Sequence, residues 1–219
     1  ARDHYLEHPN QKTSRTTLVQ EIPQSTAKRT PEQAKRARAA DILTMAVVEV
    51  VTSELVAPSE PTPRRPLWLS NLDLAARNGY TPTIYFFRRP QDSSDGRLRA
   101  DSCFSTHALR AALAAALVRF YPFAGRLRAA GRGGRAEIDC NAAGALLVVA
   151  RSAAALEDFL HDFAPSKAMN DTFVPTYDSA GPDAPLLLLQ VTFFRCGGVA
   201  LGTAMHHFVI DGRSAFHFI

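Results

Sequence analysis

The sequence predicts an α/β fold in which a mixed sheet is flanked by helices. Over residues 45–219, apolar runs rich in β-branched residues alternate with two helical patterns. Two long apolar runs also meet at Cys196-Gly197-Gly198, which is typical of an antiparallel hairpin. Strands that alternate with helices but include antiparallel pairs indicate a mixed sheet covered by helices.

The strand predictions follow the chain in order. Each segment is short, apolar and rich in β-branched or aromatic residues, and AGRGGRAEIDC predicts a hairpin across a glycine-rich turn. The predicted strands are MAVVEVVTSELV (45–56), TPTIYFFR (81–88), the two arms of AGRGGRAEIDC (130–140), GALLVVA (144–150) and the two runs in LLLLQVTFFRCGGVALGTAMHHF (186–208).

Two segments carry helix signals. STHALRAALAAALVRFYP (105–122) begins with Ser105 or Thr106 as a cap and ends at Pro122. SAAALEDFLHDFAP (152–165) is the second predicted helix. A leucine recurs at every fourth position of the first helix, which predicts a buried stripe and no cofactor site; these are Leu109, Leu113 and Leu117.

Residues 1–44 differ from the rest of the chain. They are polar and lack periodicity, so we expect a disordered or non-family extension ahead of a domain at 45–219. The formal charge of +4 comes from residues 1–40, which leaves residues 41–219 neutral and gives no reason to expect nucleic acid as a partner. Three scattered cysteines and the lack of any long apolar run indicate a cytoplasmic protein that does not span a membrane.

The pattern H-x-x-x-D-G occurs once, at His207, Asp211 and Gly212. A shuffled chain of this composition would contain roughly 0.02 copies. The pattern follows a predicted strand and precedes a predicted helix beginning at Arg213-Ser214, and strand ends are where side chains project into clefts.

Imidazole suits general-base chemistry, which makes His207 the candidate base. Asp211 could orient that histidine or brace the loop, and Gly212 would allow a sharp backbone turn. His206 should point to the other strand face and take no part. The other histidines and cysteines do not cluster with this pair and no GxSxG is present, so neither a metal site nor a serine hydrolase is expected.

Several stretches around this pattern resemble the plant BAHD acyltransferases, and in particular their hydroxycinnamoyltransferase branch. They cover nearly all of residues 45–219 in the order and spacing of that family. The stretches are TPRRPLWLSNLDL, YTPTIYFFR, ALVRFYPFAGRL, EIDCNAAGALLVVA, LLLLQVTFFRCGGVALGTAMHHFVIDG and SAFHFI.

The resemblance implies the first domain of a chloramphenicol acetyltransferase-like fold, incomplete at its C-terminus. It also implies transfer of an acyl group, hydroxycinnamoyl above all, to a small hydroxyl or amine acceptor, with acyl-CoA as co-substrate and no bound cofactor. His207 matches the family's general base, and Asp211 matches a residue that braces the loop through an arginine. Thr81, Thr83 and Tyr85 fall where the family lines the acyl pocket.

The sequence also departs from the family pattern. Tyr80 stands where many members carry a histidine, which bears on shikimate as acceptor; quinate, spermidine, other amines and fatty alcohols also stay open. The second family signature, DFGWG, is missing, so we expect a truncated and inactive chain whose uncovered sheet face favours self-association, whereas full-length relatives should be monomeric. The alternatives are a non-catalytic fragment or binding module and a piece of a peptide-synthetase condensation domain.

Overall fold

The computed structural model describes residues 30, 48–89, 105–130, 134–160, 165–178, 181 and 183–219. The extension predicted over residues 1–44 lies outside this set except for Thr30. Within the described set, no helix has the length and apolar character needed to cross a membrane.

The strands predicted from the sequence are present, except that the first arm of the hairpin predicted over 130–140 lies earlier, at Arg126–Ala130. One short strand is added to them. It is a three-residue segment containing a proline, too short to show the alternating pattern that predicts a strand. The strands are β1 (Val48–Val56), β2 (Pro66–Trp68), β3 (Tyr80–Phe87), β4 (Arg126–Ala130), β5 (Arg135–Asp139), β6 (Ala145–Ser152), β7 (Leu187–Phe194) and β8 (Val199–His206).

These strands form two sheets, not the single sheet predicted. The larger sheet has the order β1-β6-β7-β8-β3, and the smaller sheet has the order β2-β5-β4. In the larger sheet β6 and β7 are parallel while the other neighbours are antiparallel, which confirms the mixed sheet. The predicted hairpin between β7 and β8 closes at Gly197, whose φ of 82° is a conformation that glycine adopts without strain.

The described helices include the three predicted ones and two that the sequence does not predict. Residues 161–164 of the second predicted helix lie outside the described set. The unpredicted helices, α1 and α4, are five and seven residues long, too short to show a helical period. The helices are α1 (Asn71–Ala75), α2 (Thr106–Arg119), α3 (Leu156–Leu160), α4 (Lys167–Phe173) and α5 (Gly212–Phe218), with a 3₁₀ helix at Tyr121–Ala124.

Helix α2 covers one face of the larger sheet, together with α5. Ser105 caps α2 as predicted, but the helix ends at Arg119 and Pro122 lies inside the 3₁₀ helix that follows. Leu113 and Leu117 of the predicted stripe are buried against β7 and β8, with Leu109 partly buried beside them. We call this side of the sheet the α2 face.

Helices α3 and α4 cover the opposite side, which we call the α4 face. Phe159 of α3 and Phe173 of α4 pack against Phe194 of β7 through ring contacts of 5.5 and 5.6 Å between centroids. The C-terminal end of α4 comes so close to β8 that a side chain at Gly202 would overlap the Phe173 carbonyl oxygen. Both faces of β8 are therefore covered, which holds this strand in one position.

Arg126 links the two sheets. It lies in β4, is buried, and its Nη1 donates to the carbonyl oxygens of Gly125 and Gly144 at 2.7 and 2.8 Å. Gly144 directly precedes β6 of the larger sheet. Burial lowers the pKa of the guanidinium, but these two carbonyl bonds hold it where the sheets meet.

Candidate active site

His207 follows the last residue of β8 and belongs to a tight turn. The backbone N–H of Val209 donates to the His206 carbonyl at 3.0 Å, which makes His207 the second residue of a four-residue turn. The backbone N–H of His207 donates to the Gly79 carbonyl at 2.9 Å, beside the start of β3. The imidazole is thus carried on a short turn whose first residues are tied to the sheet.

The side chain of His207 is half-buried. Its Nδ1 is enclosed and has no hydrogen-bond partner among the described residues. Nε2 is therefore the ring nitrogen left to meet a reacting group.

Asp211 acts as a helix cap. Its Oδ1 accepts the backbone N–H of Ser214 at 2.8 Å, and this bond lowers the pKa of the carboxyl. Among the described hydrogen bonds none joins Asp211 to His207, so the possibility that Asp211 orients the imidazole is not supported. The carboxylate instead fixes where α5 begins after the turn.

The prediction that Gly212 is needed for a sharp backbone turn is wrong. Gly212 is the first residue of α5 and does not have a positive φ, and a side chain there would meet none of the described residues within 4 Å. The direction of the chain changes at Asp211, in extended conformation as the N-cap, so no glycine is needed for the turn. The helix also begins one residue earlier than predicted.

The three predicted acyl-pocket residues share one side of β3. Thr81, Thr83 and Tyr85 pair with Met205, Thr203 and Leu201 of β8, and directly opposed residues of antiparallel strands point to the same side. Met205 belongs to the core on the α2 face, so all three lie on that face. Thr81 and Thr83 are exposed and Tyr85 is half-buried. Thr83 Oγ1 lies 2.6 Å from Thr203 Oγ1.

His206 and Tyr80 lie on the α4 face instead. Tyr80 pairs with His206 across the strands, and their rings meet edge to face at 5.5 Å. The Tyr80 hydroxyl donates to the Pro185 carbonyl at 2.6 Å, and burial raises its pKa to about 12. Burial, with His207 adjoining, lowers the pKa of His206 to about 4. Tyr80 therefore packs against the end of β8 on the α4 face, opposite the face that carries Thr81 and Thr83.

A cavity of about 480 Å³ opens beside the turn, between the 3₁₀ helix and α5. None of the residues predicted for the site lines it. The sequence does not predict it, because the chain segments that form it are about 85 residues apart. Its lining residues are Phe120, Pro122, Phe123, Val209, Ile210, Arg213, Ser214 and His217. Across the described residues, no cluster of His, Cys, Asp and Glu is suited to hold a metal ion.

Comparison with known proteins places this site in a family context. The family model described as Transferase family matches residues 46–219. Putrescine hydroxycinnamoyltransferase 2 of Oryza sativa subsp. japonica is 55% identical over 177 residues, which cover 80% of this chain and 54% of that protein. Hydroxycinnamoyl-CoA:5-hydroxyanthranilate N-hydroxycinnamoyltransferase HHT4 of Avena sativa is 46% identical, covering 78% of this chain and 39% of that protein. This chain thus spans 39% to 54% of the length of these curated relatives.

Solved structures agree on the fold. Vinorine synthase matches with a TM-score of 0.59 and 28% identity over 74% of this chain and 38% of its own. TRI101 of F. sporotrichioides, in complex with coenzyme A and T-2, matches with a TM-score of 0.50 and 21% identity over 70% of this chain and 39% of its own. The chloramphenicol acetyltransferase-like fold predicted from the resemblance is confirmed for the part of the chain that aligns.

Proposed function

Because this chain belongs to the transferase family, as one of the plant BAHD acyltransferases, we propose that it serves to transfer an acyl group from a CoA thioester to an amine or hydroxyl acceptor. The observation that supports the proposal most directly is His207, which a tight turn presents at the end of a strand covered on both faces. A general base must be held in place and still be reachable, and this position combines both properties.

The proposed reaction has His207 as its base. Nε2 removes a proton from the acceptor nitrogen or oxygen as that atom attacks the thioester carbonyl carbon. The resulting tetrahedral oxyanion collapses, the carbon–sulfur bond breaks, and the CoA thiolate takes the proton back from His207. The products are the acylated acceptor and free CoA, and no covalent bond to the enzyme is required.

The names of the relatives suggest the substrates. The rice relative is named for putrescine and the oat relative for 5-hydroxyanthranilate, and both are named for hydroxycinnamoyl transfer. We therefore propose a hydroxycinnamoyl-CoA donor and an amine acceptor. On β3 the hydroxyls of Thr81 and Thr83 lie on the same face as Met205, two residues before His207, and would contact the phenolic acyl group.

The test is a thioester assay with p-coumaroyl-CoA and either putrescine, 5-hydroxyanthranilate or shikimate. Released thiol gives the rate, and mass spectrometry identifies the amide or ester. His207→Ala should lower kcat by about 10²- to 10⁴-fold. The matched control is His107→Ala, which removes an exposed imidazole from the first turn of α2 and should keep full activity. Equal activity of the two variants would exclude His207 as the base.

The assay should be run on the natural polypeptide that contains these residues and on the 219-residue chain alone. The chain spans 54% of its rice relative, so we expect the chain alone to show little or no turnover. Turnover by the chain alone that is lost in His207→Ala would contradict this expectation and still support the base.

A further inference from the structure

His206 was expected to take no part in the site, yet it makes three hydrogen bonds at the end of β8. Its backbone N–H donates to the Leu186 carbonyl at 2.9 Å, and its own carbonyl accepts the N–H of Val209 at 3.0 Å. Its side chain adds a third bond, because Nδ1 accepts the backbone N–H of Phe208 at 3.3 Å. Phe208 directly follows His207, so His206 contacts the turn on both sides of the base.

We propose that His206 is a positioning residue for His207, because its Nδ1 fixes the turn from which the base projects. The proposal rests on the proposed function, in which His207 is the base. A side-chain acceptor bonded to the N–H two residues later is a known way to hold a turn, used most often by Asn and Asp. Here a histidine makes the same bond from inside the core.

Aromatic contacts hold the His206 ring in the orientation in which Nδ1 accepts the Phe208 N–H. His206 is 1% exposed, and its ring meets Tyr80 at 5.5 Å and Phe208 at 5.2 Å, both edge to face. Since Nδ1 accepts the Phe208 N–H, Nε2 must carry the ring proton, and Nε2 is enclosed without a partner among the described residues. The ring contacts fix its orientation, and the bond to Phe208 transmits that orientation to the turn.

Two substitutions separate the bond from the packing. Asn carries an acceptor oxygen at about the position of Nδ1, so His206→Asn should keep the bond to Phe208. His206→Phe keeps a ring between Tyr80 and Phe208 but has no acceptor. His107→Phe is the matched control, because it makes the same change at an exposed position of α2.

The first measurement is amide hydrogen exchange and imidazole ¹⁵N shifts of the 219-residue chain by NMR. We expect His206 as the Nε2–H tautomer, with Phe208 exchanging at least about tenfold faster in His206→Phe and near the wild-type rate in His206→Asn. The N–H of Val209 bonds to backbone and should stay protected in every variant. An Nδ1–H tautomer, or unchanged exchange of Phe208 in His206→Phe, overturns the proposal.

The second measurement is steady-state kinetics on the natural polypeptide. A small displacement of a catalytic group can cost up to about 100-fold in rate, so His206→Phe should lower kcat by about 10- to 100-fold with KM little changed. His206→Asn should recover most of that loss, and His107→Phe should lose nothing. Parallel losses in His206→Phe and His206→Asn, accompanied by an equal drop in thermal midpoint, would reduce His206 to a packing residue and overturn the proposal. If the wild type is inactive the proposed function fails, while the exchange data still decide whether His206 holds the turn.

Discussion

β8 and β3 are neighbours in one sheet, and both carry residues predicted for the site, yet they differ in burial. In β8 every residue from Gly202 to His206 is buried, because helices cover both faces. In β3, at the edge of the sheet, Thr81 and Thr83 are exposed on the α2 face. The strand that leads to His207 therefore tolerates little change. Under the proposed function, its partner presents Thr81, an exposed side chain whose replacement should change the acyl group accepted at little cost in stability.

The sharpest way to test this contrast is Gly202→Ala. A methyl group at this position would overlap the Phe173 carbonyl oxygen, which is backbone and cannot rotate away. We expect α4 to be displaced from the sheet, with a loss of at least about 3 kcal/mol in the free energy of unfolding or failure to fold. Thermal and urea unfolding followed by circular dichroism measure the loss.

Gly212→Ala is the control for that change. It adds the same methyl group at a glycine that lies in a helix and has no described residue within 4 Å of the added atom. Its effect on the free energy of unfolding should stay within about 0.5 kcal/mol. If the two variants unfolded alike, close packing of α4 on β8 would not explain the rigidity of the strand.

The features that the sequence could predict are those with a local signal. The long strands and α2 follow from apolar periodicity, and the H-x-x-x-D-G pattern identified the turn after β8 because strand, turn and helix signals coincide there. Strand alternation also predicts that His206 and His207 point to opposite faces; the structure places His206 on the α4 face and His207 in the turn beyond the strand. These features depend on residues near one another in the chain.

Features that depend on distant residues were not predictable. Gly202 is a glycine because α4, a seven-residue helix without a visible period, ends above it.

Two local features were also missed. The bond from the Phe208 N–H to His206 Nδ1 joins residues only two positions apart, but histidine is not one of the residue types that usually predict such a turn. The cap formed by Asp211 had a local signal, since Asp followed by a helix predicts an N-cap, but the H-x-x-x-D-G pattern favoured a residue that orients the base or braces the loop.

The burial of His206 at the end of β8 predicts that the free energy of unfolding falls in acid. His206 has an ordinary pKa of 6.5 that burial lowers to about 4, so the unfolded chain binds more protons between these values. Stability should be unaffected by His206 above pH 6.5 and should fall as the pH drops toward 4, by about 3 kcal/mol in all. Tyr80, the ring against it, stays neutral throughout because its pKa is about 12.

The measurement is urea unfolding at several pH values for wild type and His206→Asn, which cannot titrate. The free-energy difference between the two proteins should shift in favour of the variant from pH 6.5 to pH 4. A difference that stays constant over this range would show that His206 is not buried in its neutral form.

Thr83 tests how much a side-chain contact between β3 and β8 contributes to stability. Its hydroxyl is 2.6 Å from that of Thr203, which is fully buried in β8. Thr83→Val should cost about 1–2 kcal/mol because the Thr203 hydroxyl is left without this partner. Replacing both threonines by valine should recover much of that cost, and a double-mutant cycle on unfolding free energies measures the coupling. Additive effects would mean that the two hydroxyls do not interact.

Thr81 should affect stability least and selectivity most directly. Its side chain is exposed, so Thr81→Val, which keeps the shape and removes the hydroxyl, should change the free energy of unfolding by less than about 0.5 kcal/mol. If Thr81 binds a phenolic hydroxyl, the variant should lose about two- to tenfold in kcat/KM with p-coumaroyl-CoA, the range of one net hydrogen bond, and nothing with cinnamoyl-CoA. Thr52→Val, at an exposed position of the opposite edge strand β1, is the matched control and should leave kcat/KM unchanged with both donors. Equal losses with both donors would mean that Thr81 shapes the edge strand and does not select the acyl group.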